Sequence, residues 1–421
     1  MTGSDLNSEE PGSCVAPNGW EHVALTGRVS SRSGDGKIIK GKQAEGPGGG
    51  LVQGFSASGP DVWVADAHYE SDGVAVSAVG ARCGKTFLAR APWTAIANTH
   101  ALVPGDSIDV RFLWYLTNRE DWWIKSGTAQ PFVKVKDTLA RRELIPPLAE
   151  QQRIVEILEE QFSRLDAALE SVRIVREKAA QFRRSLLHAA FTGALTGHVV
   201  ASGELPEGWK IVTLDDLVDE KASIVDGPFG SNLKSSHYTD RGARVVRLQN
   251  IGYGQFVPAD AFISLEHFEK LSKHNVVGGD LLFASLGENL PRTCLAPFFD
   301  EPTIVKADCI RVRLSKSVNP NFVLYATQRP EAQKWASDQL HGMGRPRLGL
   351  SGIRGFSLPL PKMAEQNRIV EVLDEQFQKI GGALSVATAV EQRSTALRRS
   401  LLHAAFTGKL TEQWRQEHAH V

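Results

Sequence analysis

Four cysteines are all that 421 residues contain, and Cys14, Cys83, Cys294 and Cys309 are scattered without metal-ligand spacing or a disulfide framework. No apolar run approaches the roughly 18 residues that a membrane span needs. The opening MTGSDLNSEEPGS is acidic and polar, and no basic stretch runs into an apolar core, so a secretory signal is not expected. A reducing cytoplasm is the expected location, and no membrane partner is expected. Net charge is also missing: 48 Lys and Arg balance 48 Asp and Glu. A generic polyanion binder carries clustered excess cations, so any reader of nucleic acid here must concentrate its charge locally or borrow it from a partner.

What is present is a repeat. AEQQRIVEILEEQF…RRSLLHAAFTGALT at 149–196 returns at 364–411 as AEQNRIVEVLDEQF…RRSLLHAAFTGKLT, at a constant offset of 215 and with 27 of 48 positions identical. A second pair of markers precedes it, APNGWEHVAL at 16–25 and LPEGWKIVTL at 205–214, at an offset of 189. The segments between the markers therefore differ by 26 residues, while the repeated segments do not differ at all. Weak matches survive late in those segments, RFLWYLTN (111–118) with NFVLYATQ (321–328) and SGTAQPF (126–132) with HGMGRPR (341–347). This is a duplicated frame with diverged inserts.

The repeated segments predict long helices, from about 150 to 190 and at the matching positions of the copy. Leu158, Phe162, Leu165 and Leu169 step by three and four, and Leu373, Phe377, Ile380 and Leu384 repeat the phase. Gly193 and Gly408 suit C-terminal caps, and Pro146, Pro147 and Pro361 mark the entries. Such a helix cannot bury its seam alone. It packs on its own domain or pairs with its copy, and the shared phase favours pairing; opposite charges at Arg176 and Glu391 permit a mixed pair. The intervening domains look strand-rich. Residues 65–89 alternate Gly-bounded apolar runs with polar turns, 303–314 predict a strand, and 276–287 a turn feeding another. Residues 263–274 predict a short helix capped by Ser264.

Motifs of catalysis are weak. GARCGKT (80–86) has its first glycine one residue too close for a phosphate-binding loop and reads as a strand turn with a surface lysine. GPGGG (46–50) reads as flexible loop. NPNF (319–322) lacks the second proline of an adenine-methyltransferase motif, and no Gly-rich cofactor loop follows a strand elsewhere; a helix-start proline explains it better. His188 and His403 occupy identical places, but no carboxylate or cysteine joins them at ligand spacing, so no metal is expected.

Candidate DNA contacts cluster in the unlike segments. In the second half they are Lys234, Arg244, Arg247, Gln249, Asn250, Arg345 and Arg347; in the first, Arg82, Lys85, Asn98, His100 and Gln130. Arg reads guanine edges bidentately, and Asn and Gln read adenine edges.

NGW (18–20), EGW (207–209), GPFGSNLK (227–234), the joints LIPPLAEQQRIV (144–155) and LPLPKMAEQNRIV (358–370), and both RRSLLHAAFTG ends carry a resemblance. In their order and duplication the chain resembles the specificity subunit of type I restriction–modification enzymes over nearly its whole length. The resemblance implies an α+β fold, with two mixed, strand-rich target-recognition domains separated by two long helices that pair as an antiparallel coiled coil in a pseudo-twofold repeat. The expected division is a disordered tail (1–15), recognition domain 1 (16–145), spacer helix 1 (146–200), recognition domain 2 (205–357) and spacer helix 2 (358–421). It implies a non-catalytic reader of double-stranded DNA with a bipartite target. Methyltransferase (modification) subunits and an endonuclease/translocase (restriction) subunit would dock on it. S-adenosylmethionine, ATP and Mg would sit on those partners and no cofactor on this chain. Partners could then supply much of the phosphate contact, which accounts for the zero net charge. Two rivals are a fused methyltransferase using NPNF and S-adenosylmethionine, and a coiled-coil scaffold whose heads bind no DNA.

Overall fold

The computed structural model describes residues 16–199, 201, 203–287, 289–341 and 347–418, so the tail at 1–15 and Arg345 lie outside the described residues. The chain forms two compact units, one from the residues up to Ser171 together with Ala389 onward, the other from Val172–Thr388.

In the first unit β1 (Glu21–Ala24), β2 (Val29–Ser33), β3 (Val52–Ser56), β4 (Gly59–Val64), β5 (Gly73–Ser77), β6 (Thr86–Ala89), β7 (Trp93–Ala95) and β8 (Thr99–Pro104) come first. Helix α1 (Val110–Thr117), the short strands β9 (Lys125–Ser126) and β10 (Phe132–Val133), α2 (Val135–Ala140) and β11 (Arg142–Ile145) lead into the long helix α3 (Leu148–Phe191). One sheet has the order β2-β8-β5-β6 and a second β4-β3-β7, while β1 pairs with β11. All five residues of β5 are buried because both faces of its sheet are covered. Val74 and Val76 share one core with Phe112 and Leu113 of α1, and Ala75 shares another with Phe55 and Trp93 of the second sheet.

The second unit repeats this plan with longer excursions. Its strands are β12 (Lys210–Thr213), β13 (Ile224–Asp226), β14 (Tyr238–Thr239), β15 (Ala243–Val246), β16 (Phe262–Ile263), β17 (Asn275–Val276), β18 (Leu281–Ala284), β19 (Arg292–Leu295), β20 (Thr303–Val305) and β21 (Cys309–Val312), with α4 (Leu265–Lys270) between β16 and β17. Then come α5 (Pro320–Ala326), α6 (Pro330–Gln339), β22 (Leu340–His341), β23 (Arg347–Leu348), α7 (Leu350–Arg354), β24 (Ser357–Leu360) and the long helix α8 (Met363–Phe406), whose residues from Ala389 onward belong with α9 (Glu412–Glu417) to the first unit. The four-stranded order β13-β21-β18-β19 matches β2-β8-β5-β6, and β12 pairs with β24 as β1 does with β11. Ser264 caps α4 by accepting from His267 N–H at 3.1 Å. NPNF is the start of α5: Asn319 Oδ1 accepts from Asn321 N–H at 2.9 Å, and Asp109 does the same for α1 through Arg111 N–H at 2.9 Å. The stretch read as one strand over 303–314 is two, β20 and β21, because Asp308 takes a left-handed conformation (φ 68°) between them.

Helices α3 and α8 each have 44 residues and begin and end 215 apart, as the repeat requires. They pair antiparallel inside each unit. In the first unit Glu150 meets Thr411 and Asp166 meets Arg398, so the partner's number falls as α3 ascends. In the second Arg176 meets Thr388, Arg183 lies over Phe377, and Thr196 meets Glu365. The seam serves two purposes at once. Phe162 packs on Tyr115 of its own domain (centroids 5.8 Å apart) and under the guanidinium of Arg398 from the other helix (4.5 Å). Phe377 does likewise between Tyr325 (5.4 Å) and Arg183 (3.8 Å). Leu158 and Leu373 are fully buried, Leu165 and Ile380 half-buried against the same cores, and Leu169 and Leu384 half-buried beyond them. Own-domain packing and helix pairing are therefore not alternatives here.

Candidate nucleic-acid interface

In each unit the repeated motifs gather at one end of the four-stranded sheet. The Gln of AEQ joins the domain to its helix: Gln151 Oε1 accepts from Asp109 N–H (2.8 Å) and Gln366 Oε1 from Asn319 N–H (2.9 Å). The Glu of AEQ receives the end of the other repeat. Thr411 Oγ1 donates to Glu150 (2.6 Å), with Arg415 beside it at 2.5 Å. Thr196 Oγ1 donates to Glu365 (2.8 Å), joined by His198 (2.8 Å) and by Trp209 Nε1–H (3.0 Å). Burial pushes the Glu365 carboxyl up, but those three hydrogen bonds and the His198 charge outweigh it and hold it below its ordinary range. Gly193 (φ 81°) and Gly408 (φ 75°) end the helices left-handed, and a Cβ on either would fall 2.4 Å from Pro206 or Pro17 of the x-P-x-G-W marker. The markers singled out by sequence meet here, and they hold scaffold.

The opposite end of each sheet carries the unlike loops. Strand register places Ser33, His100 and Ser77 at that end of the first unit, and Asp226, Ile310 and Ala284 at that end of the second. Three contacts recur. Gly34 lies so close to the Ile96 carbonyl that a Cβ would sit 2.1 Å from it, and Gly227 stands in the same relation to Lys306. Ala78 N–H donates to the carbonyl of left-handed Asn98, and Ser285 N–H to that of left-handed Asp308. Val79 bridges Phe132, and Leu286 bridges Arg347, tying the hairpin loop to the sheet. The offset climbs along these pairs, 193 at Gly34/Gly227, 207 at Ala78/Ser285, 210 at Asn98/Asp308 and 215 at Phe132/Arg347. The 26 extra residues of the second unit thus accumulate stepwise between the shared positions.

The structure brings Arg82, Lys85, Asn98 and Gln130 together on adjoining loops at this end of the first unit, all exposed. Arg32 near the end of β2, Lys37 just after it and Lys125 on β9 add to the cations of this unit, and a cleft of about 680 Å³ is lined by Arg32, Asp35, Lys37, His68 and Tyr69. Among the described residues none of Lys37, Arg82, Lys85 and Lys125 is paired with a carboxylate, so the first unit concentrates cations here despite the neutral chain. His100 serves the sheet instead: its Nε2 meets Ser33 Oγ at 3.3 Å, and burial, with Lys136 nearby, pushes its pKa down.

In the second unit Lys234 and Gln249 are exposed, and Arg347 is exposed but faces Asp308. Asn250 is buried: its amide donates to Val257 and Ala259 carbonyls (3.0 Å each), and its Oδ1 accepts from Arg247 N–H. Arg247 in turn donates to the Asp260 carbonyl at 3.0 Å. Arg244 is held by Asp260 (2.6 Å) and Glu301 (3.1 Å) over the rings of Phe262 and Phe299. Its burial would lower its pKa, but the two carboxylates raise it. Arg292 was not legible as a candidate. It occupies the register position of Lys85, since Lys85 lies opposite Ser77 and Arg292 opposite Ala284, but at an offset of 207 where the opening markers are 189 apart. Asp226 is half-buried, and that burial, with Asp308 beside it, pushes its carboxyl up to about 6.

No group of three or more His, Cys, Asp or Glu among the described residues could hold a metal ion, and no helix among them is long and apolar enough to cross a membrane.

Residues 206–381 match the family of the type I restriction modification DNA specificity domain. The type I restriction enzyme MjaVIII specificity subunit of Methanocaldococcus jannaschii is 22% identical over 344 residues, 79% of this chain and 77% of that protein. The EcoBI specificity subunit of Escherichia coli is 25% identical over 342 residues, 75% of this chain and 69% of that one. Among solved structures, a chain from work on complex assembly and conformational transition of the type I R-M system is similar at a TM-score of 0.65 and 19% identity, covering 94% of this chain and all 100% of that one. The HsdS subunit from Thermoanaerobacter tengcongensis is similar at 0.56 and 18% identity, over 94% and 98%. The second half of the chain thus carries the match to the type I restriction modification DNA specificity domain, and the internal repeat ties the first half to it.

Proposed function

We propose that this chain is the DNA-reading subunit of a type I restriction–modification complex, and that it directs partner subunits to a bipartite target without doing chemistry itself. The observation that carries this reading is the division of labour within each unit: repeated residues build one end, and unlike loops bearing exposed Arg, Lys, Asn and Gln build the other. Base readout needs such side chains on a rigid support, and two differing loop sets read two differing half-sites. Among the candidates, Arg82, Lys85, Asn98, Gln130, Lys234, Gln249 and Arg347 are the ones whose exposure suits contact with DNA, and exposed Lys125 joins them. Methyltransferase and endonuclease/translocase subunits dock on the chain, carry S-adenosylmethionine, ATP and Mg, and act in the cytoplasm.

Sequencing the modified sites of cells with and without this gene tests the reading. One bipartite class of methylated adenines disappears with the gene; an unchanged methylome overturns the proposal. Methyl transfer from labelled S-adenosylmethionine by this chain alone would overturn the non-catalytic assignment.

A further inference from the structure

The two loop ends differ in charge at one pair of matched positions. Where the first unit places neutral Asn98 and the apolar Phe132, the second places Asp308 and Arg347. Asp308 is fixed from both sides: its N–H donates to Asp226 Oδ1 (3.1 Å), and its carbonyl accepts from Ser285 N–H (2.9 Å). Its carboxylate is 15% exposed and faces the Arg347 guanidinium, with Nη1 3.2 Å from Oδ1 and Nη2 donating to Oδ2 at 3.5 Å. The guanidinium itself is 49% exposed. A guanidinium has five N–H donors. Nη2 donates to the carboxylate and Nη1 stands beside it without a hydrogen bond, and the side formed by Nε–H and one outer Nη–H is left over. That side has the spacing of the O6 and N7 acceptors on a guanine's major-groove edge.

We propose that Arg347 is a specificity-determining residue, reading one guanine of the half-site bound by the second unit, and that Asp308 is its positioning residue. The assignment rests on the DNA-reading function proposed above. Holding the guanidinium before DNA arrives removes rotamer freedom that a lone surface arginine would lose on binding. Phe132 and Asn98 offer no equivalent in the first unit, so the contact belongs to one half-site only.

The test is selection from a DNA library randomised across both half-sites, by the full chain assembled with its methyltransferase subunit. In Arg347→Lys the charge stays and the fork is lost. Preference for G·C at one position of one half-site should fall on the order of 5- to 100-fold, with every other position unchanged. Asp308→Asn keeps a residue that tolerates the left-handed turn but removes the buttress. It should relax the same position less, and leave the salt dependence of binding closer to wild type than Arg347→Gln does. Loss of affinity that is uniform over bases, or an unchanged preference in Arg347→Lys, overturns the assignment even if the chain binds DNA. If Arg347→Lys fails to assemble, Asp308→Asn decides by the same readout. A wild-type complex that selects no sequence overturns the proposed function, and this inference with it.

Discussion

Glu150 and Glu365 stand at the same place in their helices and receive the same threonine, yet their remaining company differs. Glu150 is 1% exposed and faces the Arg415 guanidinium, whereas Glu365 is less buried and faces His198 and the indole of Trp209. In the first unit Trp20 leaves its Nε1–H without a partner among the described residues, and Arg415 lies over its ring instead. The same joint is thus made once from a buried ion pair and once from a shared set of neutral and titratable donors. The lesson is that the repeat preserves the acceptor and the threonine, and leaves the third partner free to drift as long as the carboxylate is satisfied.

The largest expected consequence is in stability. Arg415→Ala strands a buried carboxylate and should cost about 3–5 kcal/mol. His198→Ala leaves Glu365 with two donors and should cost about 1 kcal/mol. Denaturant unfolding gives the totals, and native-state hydrogen exchange locates each loss in its own unit. Equal costs would erase the distinction between the joints. A smaller contrast is expected on the seam. Phe162, 7% exposed, should lose about 3–4 kcal/mol as Phe162→Ala, and half-buried Phe377 about 2 kcal/mol as Phe377→Ala. Melting in which the Phe377 variant is the weaker of the two would reverse that ranking.

The smallest effect separates the loop ends. The Asp226 carboxyl is pushed up to about 6, by burial first and by Asp308 second, so the native state holds its proton more tightly than the unfolded chain does. Its contribution is therefore present in acid and lost as pH rises toward 6. Asp226→Asn keeps the oxygen that accepts from Gly227 and Asp308 N–H and removes the charge. Its melting temperature should exceed wild type by about 2–4 °C at pH 8 and by less at pH 5. Ser33, the matching residue of the first unit, has no carboxyl to titrate, so Ser33→Asn should show no such pH dependence. A gain that is larger at pH 5 would refute the sign.

The helices were legible because their signal is long and repeated. Expected from about 150 to 190, α3 runs Leu148–Phe191, and the gapless offset transferred it intact to α8. The caps at Gly193, Gly408 and Ser264 and the helix-start proline of NPNF were legible because helix ends are local chemistry. What sequence could not reveal was burial. Asn250 and Arg244 have the right side chains for reading bases and spend them inside the fold, and nothing in RGARVVRLQN distinguishes them from exposed Gln249. The joints were equally hidden, since Glu150 and Thr411 are 261 positions apart and only the antiparallel pairing brings them together. The kinship of Lys85 with Arg292, or of Asn98 with Asp308, was hidden because their offsets, 207 and 210, match neither the opening markers at 189 nor the helices at 215.

The reciprocity of those joints has a genealogical meaning. Each repeat's AEQ is completed by the other repeat's FTG-x-LT, so half of this chain holds one acceptor and one donor that do not serve each other. Two identical halves would satisfy both joints by symmetry, as the two faces of an isologous dimer do. Fusing their genes would preserve both joints while freeing each copy's loops from having to match. From then on the loop ends could be selected separately, but a change at Glu150 would be judged by a threonine encoded in the other copy.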